Sequence, residues 1–407
     1  MPAVKIRQAV STARSLGLAG GLSKPPKRTL SLVQKPLNPA ICQILQRHVI
    51  DAAVAPAAAA GYVGASVSAE VGAAGSLPEG RVSADTLFDL ASVSKPVVAC
   101  TLLRLVGRGE LELAAPLGLL LPEARGTRSE QVPLELFLAH RAGLDAHRSL
   151  FAPLFNGRAI DRAEALGIAA DARRRDCQDP VPDEGFAPLY SDLGYLLVGA
   201  VLERVAGQPL DALVEREINA PLGLSLGSAR QQLERRPGFA REVAPTEVVR
   251  ARGGLVRGIV HDENSWALAG HGASGHAGLF GSVVDVLGFG AALLAALAGR
   301  SDWLGREALW MMVKPRPGGS LRAGFDGKSP GPGASSAGAL SGPETFGHLG
   351  FTGTSLWCDP GAGVASVLLT NRVHPTRENP SIRVARPLVH DALFGAAKGV
   401  LPGPPNP

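Results

Sequence analysis

The sequence is poor in lysine, cysteine and aromatic residues, and each shortage limits what the chain can be. Only eight of the 407 residues are lysine, four are cysteine and 5% are aromatic. The cysteines form no Cys-x-x-Cys pair, so the spacing typical of a structural zinc site is absent, and nothing in the sequence demands an oxidising compartment. The four residues are Cys42, Cys100, Cys177 and Cys358.

Acidic residues are missing from the first 50 positions, which carry eight basic ones. Because the whole chain has a net charge of +5, the remainder has a net charge of −3. A basic arm can contact nucleic acid or anionic lipid, but more often it is a solvated tail. We therefore expect residues 1–38 and 399–407 to be disordered tails, and we expect no nucleic-acid partner.

No apolar run is long enough to span a membrane as a helix. The best apolar stretch near the N-terminus, 15–22, is short and interrupted by glycine, which makes it a poor signal-peptide core. We therefore expect no membrane span and a cytoplasmic location. No feature of the sequence indicates a particular oligomeric state.

Strand-like and helix-like patterns occupy different parts of the chain. Strand patterns occur near both ends, at 62–68, 354–358 and 364–370, whereas the middle has mainly helical periodicity and 72–80 resembles a turn. This order predicts an α/β (α+β) fold, in which a sheet flanked by helices carries an inserted, mainly helical subdomain. We expect one domain over 39–398, with sheet parts at about 39–96 and 344–398 and a helical insert at about 110–300.

Ser92 and Lys95 are the strongest candidates for catalytic residues in the sequence. They lie three positions apart, just before an apolar helical segment at 97–106, and this spacing places both side chains on one helix face. A serine hydroxyl is a poor nucleophile until a neighbouring group takes its proton, and a partly desolvated lysine can help to do so. Ser92 would also lie at the positive end of the helix. The alternative is that Ser92 or Ser94 only caps the helix.

Two further stretches fit a serine–lysine enzyme. Tyr190 and Asp192 precede an apolar helical segment at 193–205. A phenol beside an ammonium has a lowered pKa and can carry protons, although Tyr190 could also be a core residue and Asp192 a helix cap. The other stretch, 347–354, enters a strand. Its glycines let a ligand approach closely, and a backbone N–H there could face the N–H of Ser92 and hold an oxyanion.

In this order, the three stretches resemble the serine β-lactamase and penicillin-recognising family. The similarity is greatest to its class C-like branch of D,D-carboxypeptidases, D-aminopeptidases and β-lactamase-fold esterases, and it spans roughly residues 40–395. The segments that carry it are Phe88-Asp89-Leu90-Ala91-Ser92-Val93-Ser94-Lys95, Leu138-Ala139-His140-Arg141-Ala142-Gly143-Leu144, Tyr190-Ser191-Asp192-Leu193-Gly194-Tyr195, Gly278-Leu279-Phe280-Gly281-Ser282 and His348-Leu349-Gly350. The resemblance implies an antiparallel sheet of the β-lactamase/transpeptidase type and a serine hydrolase without cofactor or metal.

The resemblance also implies roles for individual residues. Ser92 would attack a carbonyl and become acylated, Lys95 and Tyr190 would move the proton, and water would release the acyl group. The N–H groups of Ser92 and Phe351 would form the oxyanion hole. The other residues on the substrate side would be Asp192, His348 and Gly350. We expect a small-molecule ester, amide or peptide as substrate.

Two residues depart from the family pattern. Asp192 stands where the family usually has asparagine, and a carboxylate cannot donate a hydrogen bond to a substrate carbonyl. It would instead accept from Lys95 and hold that lysine charged. His348 stands where many members have lysine, and a neutral imidazole binds a substrate carboxylate less firmly. Both changes favour an esterase or a D-amino-acid peptidase; the alternatives are a β-lactamase proper and a non-catalytic penicillin-type ligand sensor.

Three other motifs are weaker signals. The segment 223–227 matches the nucleophile elbow of α/β-hydrolases, but a helix precedes it where the elbow needs a strand. The segment 270–275 matches a dinucleotide fingerprint, but no strand leads into it. His261, Asp262, His271 and His276 could bind a metal, although a loop role fits their spacing better.

Overall fold

The structure, a computed structural model, describes residues 36–64, 68–329 and 335–399. The predicted tails at 1–38 and 399–407 lie almost entirely outside these residues. Eleven strands occur in the described part of the chain. They are β1 (Ala57–Gly64), β2 (Glu70–Leu77), β3 (Gly80–Arg81), β4 (Phe88–Asp89), β5 (Val248–Val249), β6 (Gly254–Leu255), β7 (Phe280–Gly281), β8 (Asp326–Gly327), β9 (Phe346–Leu349), β10 (Ser355–Asp359) and β11 (Val364–Thr370).

Seven of these strands form one antiparallel sheet, in the order β3-β2-β1-β11-β10-β9-β8. Its two central strands come from opposite ends of the chain, with Ala58 opposite Thr370 and Gly64 opposite Val364. The short strands β4 and β7 pair separately, as do β5 and β6. The predicted sheet flanked by helices is confirmed.

Fifteen α-helices occur in the described residues. The helices, in chain order, are α1 (Pro39–Leu45), α2 (Ser94–Gly107), α3 (Leu117–Leu120), α4 (Leu134–Leu138), α5 (Ala152–Phe155), α6 (Arg162–Asp171), α7 (Asp192–Ala206), α8 (Leu210–Val214), α9 (Ala220–Leu222), α10 (Ala229–Arg235), α11 (Phe239–Glu242), α12 (Glu263–Ala269), α13 (Val283–Leu297), α14 (Arg306–Val313) and α15 (Ile382–Ala397). Single π-helical turns follow α1 and α8, and 3₁₀ turns occupy Ala91–Val93, Pro122–Ala124 and Arg250–Arg252.

The central strands are apolar on both faces, because each face is covered by helices. Ala57 and Ala59 of β1 belong to the core shared with α2, α7 and α13, whereas Ala58 and Ala60 belong to the core under α1 and α15. Side chains alternate between the faces of a strand, so a strand buried on both sides is apolar throughout. Helix α13 therefore packs on one face of the sheet, and helices α1 and α15 pack on the other.

Helix α13 shows how the sequence sets an element boundary. Ser282 accepts a hydrogen bond from the N–H of Asp285, and the Asp285 carboxylate accepts from the N–H of Ser282. These two reciprocal bonds form a capping box, and the helix begins at Val283, directly after it. Asp285 also accepts from the N–H of Ser225, which ties the helix start to the preceding loop.

Some predicted elements were wrong. The glycine-rich segment 72–80 was predicted as a turn, but most of it is β2. A Cβ at Gly72 would lie 2.7 Å from the Cβ of Ile41, so this glycine lets α1 pack closely on the sheet. Strand β1 begins at Ala57 rather than at 62. The end of the predicted strand 62–68 includes residues 65–67, outside the described part.

Within the described residues, no helix combines the length and apolarity that crossing a membrane requires.

Candidate active site

Ser92 lies on a 3₁₀ turn rather than on the helix itself. The turn covers Ala91–Val93 and leads directly into α2, so Ser92 is two residues before the helix start. Ala91 has a positive φ of 47°, which costs energy for a residue with a side chain. The Asp89 carboxylate accepts a hydrogen bond of 2.9 Å from the N–H of Ala91 and thereby holds this conformation. The sequence prediction of a shared face with Lys95 is nevertheless met.

Lys95 is fully buried and uses all three of its ammonium hydrogens. Its Nζ atom lies 2.7 Å from Ser92 Oγ, 2.7 Å from Asp192 Oδ1 and 3.2 Å from the carbonyl oxygen of His276. Burial alone would lower the pKa of Lys95, but the negative charge of Asp192 and the contact with Tyr190 outweigh it, so this pKa is raised. The lysine therefore stays charged at neutral pH.

Asp192 is the counter-ion of this lysine. Burial pushes the pKa of the carboxyl upward, but the adjacent Lys95 ammonium and then His276 hold the pKa of Asp192 below its ordinary value. Asp192 is the first residue of α7, and Ser191 occupies the cap position instead. The alternative prediction that Asp192 caps the helix is therefore wrong, whereas the expected hydrogen bond from Lys95 is present.

Tyr190 lies against the same ammonium. Its ring centroid is 4.8 Å from Lys95 Nζ, and Lys95 and Ser92 both act to lower the pKa of its phenol. The prediction of a lowered pKa for this phenol was wrong. Burial raises the pKa of Tyr190 and the Asp192 charge adds to it, and together they exceed the opposing effect of Lys95.

His140 holds the Tyr190 segment in place, and the sequence analysis did not include it among the site residues. Its Nδ1 accepts a 3.0 Å hydrogen bond from the N–H of Ser191, and its ring centroid is 4.7 Å from that of Tyr190. Burial and the Lys95 charge lower the pKa of His140 to about 3, so the ring is neutral and remains an acceptor. The signal that could have found it was its place in the segment 138–144, already quoted for the family resemblance.

The third stretch forms a tight turn after β9. The N–H of Gly350 donates to the carbonyl of Thr354, and a Cβ at Gly350 would lie 2.6 Å from the Leu90 carbonyl oxygen. Only glycine therefore lets this turn pack against the strand before Ser92. The next residue, Phe351, is 49% exposed, and its N–H donates to no acceptor among the described residues.

His348 is buried beside this turn. Its Nδ1 lies 2.8 Å from the carbonyl oxygen of Leu349, so this nitrogen carries the hydrogen and Nε2 is the free acceptor. Burial, followed by the charge of Lys95, lowers the pKa of His348 to about 3. The expected neutral imidazole is therefore the form at neutral pH.

One open cavity of about 850 Å³ joins these groups. Its wall includes Ser92, Tyr190, Asp192, His348, Gly350 and Phe351, so all the predicted site residues except the buried Lys95 line it. The cavity also exposes Asp262, which the sequence analysis considered only as a metal ligand. No group of three or more His, Cys, Asp or Glu side chains within 36–64, 68–329 and 335–399 is arranged to hold a metal ion.

A cavity in which a serine hydroxyl meets a buried ammonium and a phenol, at the edge of an antiparallel sheet covered by helices, is the arrangement of a serine hydrolase. The Beta-lactamase family profile matches residues 43–390. The chain therefore belongs to the β-lactamase family of serine hydrolases, and the predicted family, fold and enzyme class are confirmed.

Named relatives agree with this assignment. A putative D-alanyl-D-alanine carboxypeptidase of Escherichia coli K12 is 27% identical over 328 residues, which cover 74% of this chain and 72% of the relative. One from Escherichia coli O157:H7 is 32% identical over 214 residues, so the chain spans about half (48%) of that relative's length, and 48% of this chain is covered.

Among solved structures, the D-amino acid amidase from Ochrobactrum anthropi SV3 has the same fold. It is 21% identical in sequence, with a TM-score of 0.64, and the match covers 88% of this chain and 99% of the amidase.

Proposed function

We propose that this chain cleaves an ester or amide through a covalent acyl-enzyme on Ser92, as an esterase or a D-amino-acid peptidase. The observation that carries the proposal is the 2.7 Å contact between Ser92 Oγ and Lys95 Nζ at the wall of the open cavity. A hydroxyl held against a cation and open to solvent is placed to attack a bound carbonyl.

The proposed acylation step starts from a site that has lost one proton. In the resting site Lys95 is an ammonium and Tyr190 a neutral phenol, so neither can accept the Ser92 proton. Once the Lys95–Tyr190 pair has released one proton, it takes the hydrogen from Ser92 Oγ as that oxygen bonds to the substrate carbonyl carbon. The pair then returns the proton to the departing alcohol or amine.

The substrate carbonyl oxygen becomes negatively charged during the attack, and hydrogen-bond donors must stabilise that charge. The N–H groups of Ser92 and Phe351 are proposed for this role, since both residues line the cavity and the Phe351 N–H has no other acceptor in the described residues. Water then attacks the acyl carbonyl, the pair accepts one of its hydrogens, and Ser92 regains a proton as the acid leaves.

The experiment compares Ser92→Ala with Ser225→Ala. Ser225 belongs to the elbow-like segment 223–227 and provides a matched serine control outside the cavity. With 4-nitrophenyl butyrate and a fluorescent penicillin, Ser92→Ala should lose at least about 10³-fold in turnover and all labelling, while Ser225→Ala stays within about twofold of the parent. If Ser225→Ala lost turnover, or if Ser92→Ala retained it, the assignment of Ser92 as the nucleophile would be contradicted.

The same assay separates the two alternatives. Labelling by penicillin without turnover of any ester would support a ligand sensor, and rapid hydrolysis of nitrocefin would support a β-lactamase proper. The cytoplasmic location stays a prediction from the sequence.

A further inference from the structure

A buried arginine from helix α15 donates to the turn that carries Gly350 and Phe351. Nη2 of Arg386 lies 2.6 Å from the carbonyl oxygen of Gly350 and 3.1 Å from that of Thr354. The N–H of Gly353 also donates to the Gly350 carbonyl, at 3.1 Å. The Gly350 carbonyl is therefore held by two donors, and the shorter contact comes from a charged group.

The Gly350 carbonyl and the Phe351 N–H belong to the same peptide group. This peptide bond is trans, and in a planar trans peptide the C=O and the N–H point to opposite sides. Because Arg386 and Gly353 fix the direction of the carbonyl, they also fix the direction of the N–H. The N–H therefore points away from Arg386, and it donates to no acceptor among the described residues.

The cation of Arg386 has no carboxylate within ion-pair distance in the part of the chain that the structure describes. The side chain is 8% exposed, it donates to backbone carbonyls, and its Nε atom is buried without a partner. Burial, followed by the charge of Arg372, lowers the pKa of Arg386 to about 9, so the side chain remains charged at neutral pH. A buried cation without a counter-ion is costly, so packing alone does not explain an arginine at this position.

The next peptide group of the turn is held by a different arginine. Nε of Arg372 donates to the carbonyl of Phe351 at 2.8 Å, and the Arg372 guanidinium lies 4.5 Å from the centre of the Phe351 ring. The Arg372 N–H donates to the carbonyl of Thr352. Loss of Arg386 should therefore leave the ring and the following peptide groups in place and release mainly the peptide between Gly350 and Phe351.

We propose that Arg386 is a positioning residue that orients and polarises the Phe351 N–H for the oxyanion formed at Ser92. A cation that donates to a peptide carbonyl draws electron density from the peptide nitrogen, so the N–H of that peptide becomes a stronger donor. Donors that are aligned before the attack need no rearrangement when the charge develops. The inference rests on the proposed function, because the Phe351 N–H is the donor proposed there for the attacked carbonyl oxygen.

Arg386→Met and Arg386→Lys test this role. Methionine keeps an apolar stem without a donor or a charge. Lysine keeps the charge, and its single ammonium can donate to both carbonyls, as Nη2 does. With 4-nitrophenyl butyrate, Arg386→Met should lower kcat by about 10- to 100-fold and change KM by less than about threefold, and Arg386→Lys should recover most of the loss. This ester carries no anionic group, so the loss of kcat cannot come from a lost contact with a substrate carboxylate.

An NMR measurement observes the N–H itself. Phenylalanine is labelled with the heavy nitrogen isotope, and Phe351→Leu assigns the Phe351 resonance. Phenylboronic acid bonds to a serine oxygen and forms a negatively charged boronate, so it should move this resonance downfield in the parent and much less in Arg386→Met. Arg383 lies three residues earlier in α15, lines the same cavity and has no hydrogen-bond partner among the described residues, so the matched control Arg383→Gln should keep the parent response.

Equal losses of kcat in Arg386→Met and Arg386→Lys, or a full boronate response in Arg386→Met, would overturn the inference. If Arg386→Met does not fold, as judged by circular dichroism, Arg386→Gln replaces it, since glutamine is too short to reach the Gly350 carbonyl. If the parent neither hydrolyses an ester nor binds the boronate, the proposed function fails alone. The Phe351 resonance of the free protein then decides the inference: it should move in Arg386→Met and return in Arg386→Lys, and an unmoved resonance would overturn it.

Discussion

Lys95 and Tyr190 both retain their protons at neutral pH, although serine activation needs one of them to act as a base. The pKa of Lys95 is raised by Asp192, and that of Tyr190 is raised by burial and by the same carboxylate. Each of the two groups is among the causes of the other's pKa change, so their protonation states influence one another. Asp192 therefore sets the pH at which the proposed nucleophile becomes available.

This arrangement gives a pH prediction. Since the active form has one proton fewer than the resting form, and since both pKa values are raised, kcat/KM should increase from pH 6 through pH 9. The measurement is the hydrolysis of 4-nitrophenyl butyrate across that range, corrected with Ser92→Ala. A maximum below pH 7 would contradict the assignment of Lys95 as charged in the resting site.

Asp192→Asn tests the cause directly. The amide oxygen can still accept a hydrogen bond from Lys95, but the negative charge is gone, so the pKa of Lys95 should fall. The rise of kcat/KM should shift by about one to three pH units toward acid, and acylation by fluorescent penicillin at pH 7 should become about tenfold faster. The control Asp302→Asn, which changes an exposed carboxylate outside the cavity wall, should leave the pH profile of kcat/KM unchanged. A slower reaction with an unchanged pH profile would mean that Asp192 only positions Lys95.

At this scale, sequence reasoning identified residues that the structure brings together in the cavity, which are the proposed reacting groups, but not their ionisation. Ser92 and Lys95 were found from a three-residue spacing, because helical geometry makes that spacing a contact. The raised pKa of Tyr190 could not be read in the same way. This pKa depends on burial and on the charge of Asp192, which together outweigh the opposing effect of Lys95. A local sequence pattern does not show which of these effects is larger.

At the scale of elements, the loop after α4 positions the start of α7. The carbonyl of His140 accepts from the N–H of Leu189, and the carbonyl of Ala146 accepts from the N–H of Asp192. Together with the bond from the Ser191 N–H to His140 Nδ1, these contacts fix Tyr190 and Asp192 between two backbones. His140 thus acts as a positioning residue.

His140→Ala and His140→Asn separate this role from bulk packing. Asparagine tolerates the positive φ of 57° at this position and offers Oδ1 where Nδ1 accepts, whereas alanine does neither. His140→Ala should lower kcat by about 10- to 100-fold with KM changed less than threefold, and His140→Asn should recover most of the loss. Equal defects in both variants, or a loss confined to KM, would contradict positioning through the acceptor.

The sequence also predicted most of the long elements. Helix α7 was predicted within a residue at each end, because it has a strong apolar face and a glycine directly after its last residue. The turn predicted at 72–80 was wrong because glycine occurs both in turns and where a helix packs closely on a strand. Only the packing of α1 on β2 shows that the second case applies here.

At the scale of the molecule, stability depends on the doubly covered central strands. Leu369 of β11 is fully buried, whereas Leu388 on the outer face of α15 is 45% exposed. Leu369→Ala should reduce the free energy of unfolding by about 2–5 kcal/mol, and Leu388→Ala should change it by less than about 0.5 kcal/mol. Denaturant unfolding followed by circular dichroism measures both; similar losses would contradict a core centred on β11.

The adjacency of β1 and β11 has a consequence for biosynthesis. Ala58 pairs with Thr370, so more than 300 residues separate the two partners along the chain. During synthesis on the ribosome, β1 stays unpaired with β11 until nearly the whole polypeptide has been translated. Until then its apolar faces are open to chaperones and to self-association, and a stop codon upstream of the last strand would release a product whose sheet lacks its centre.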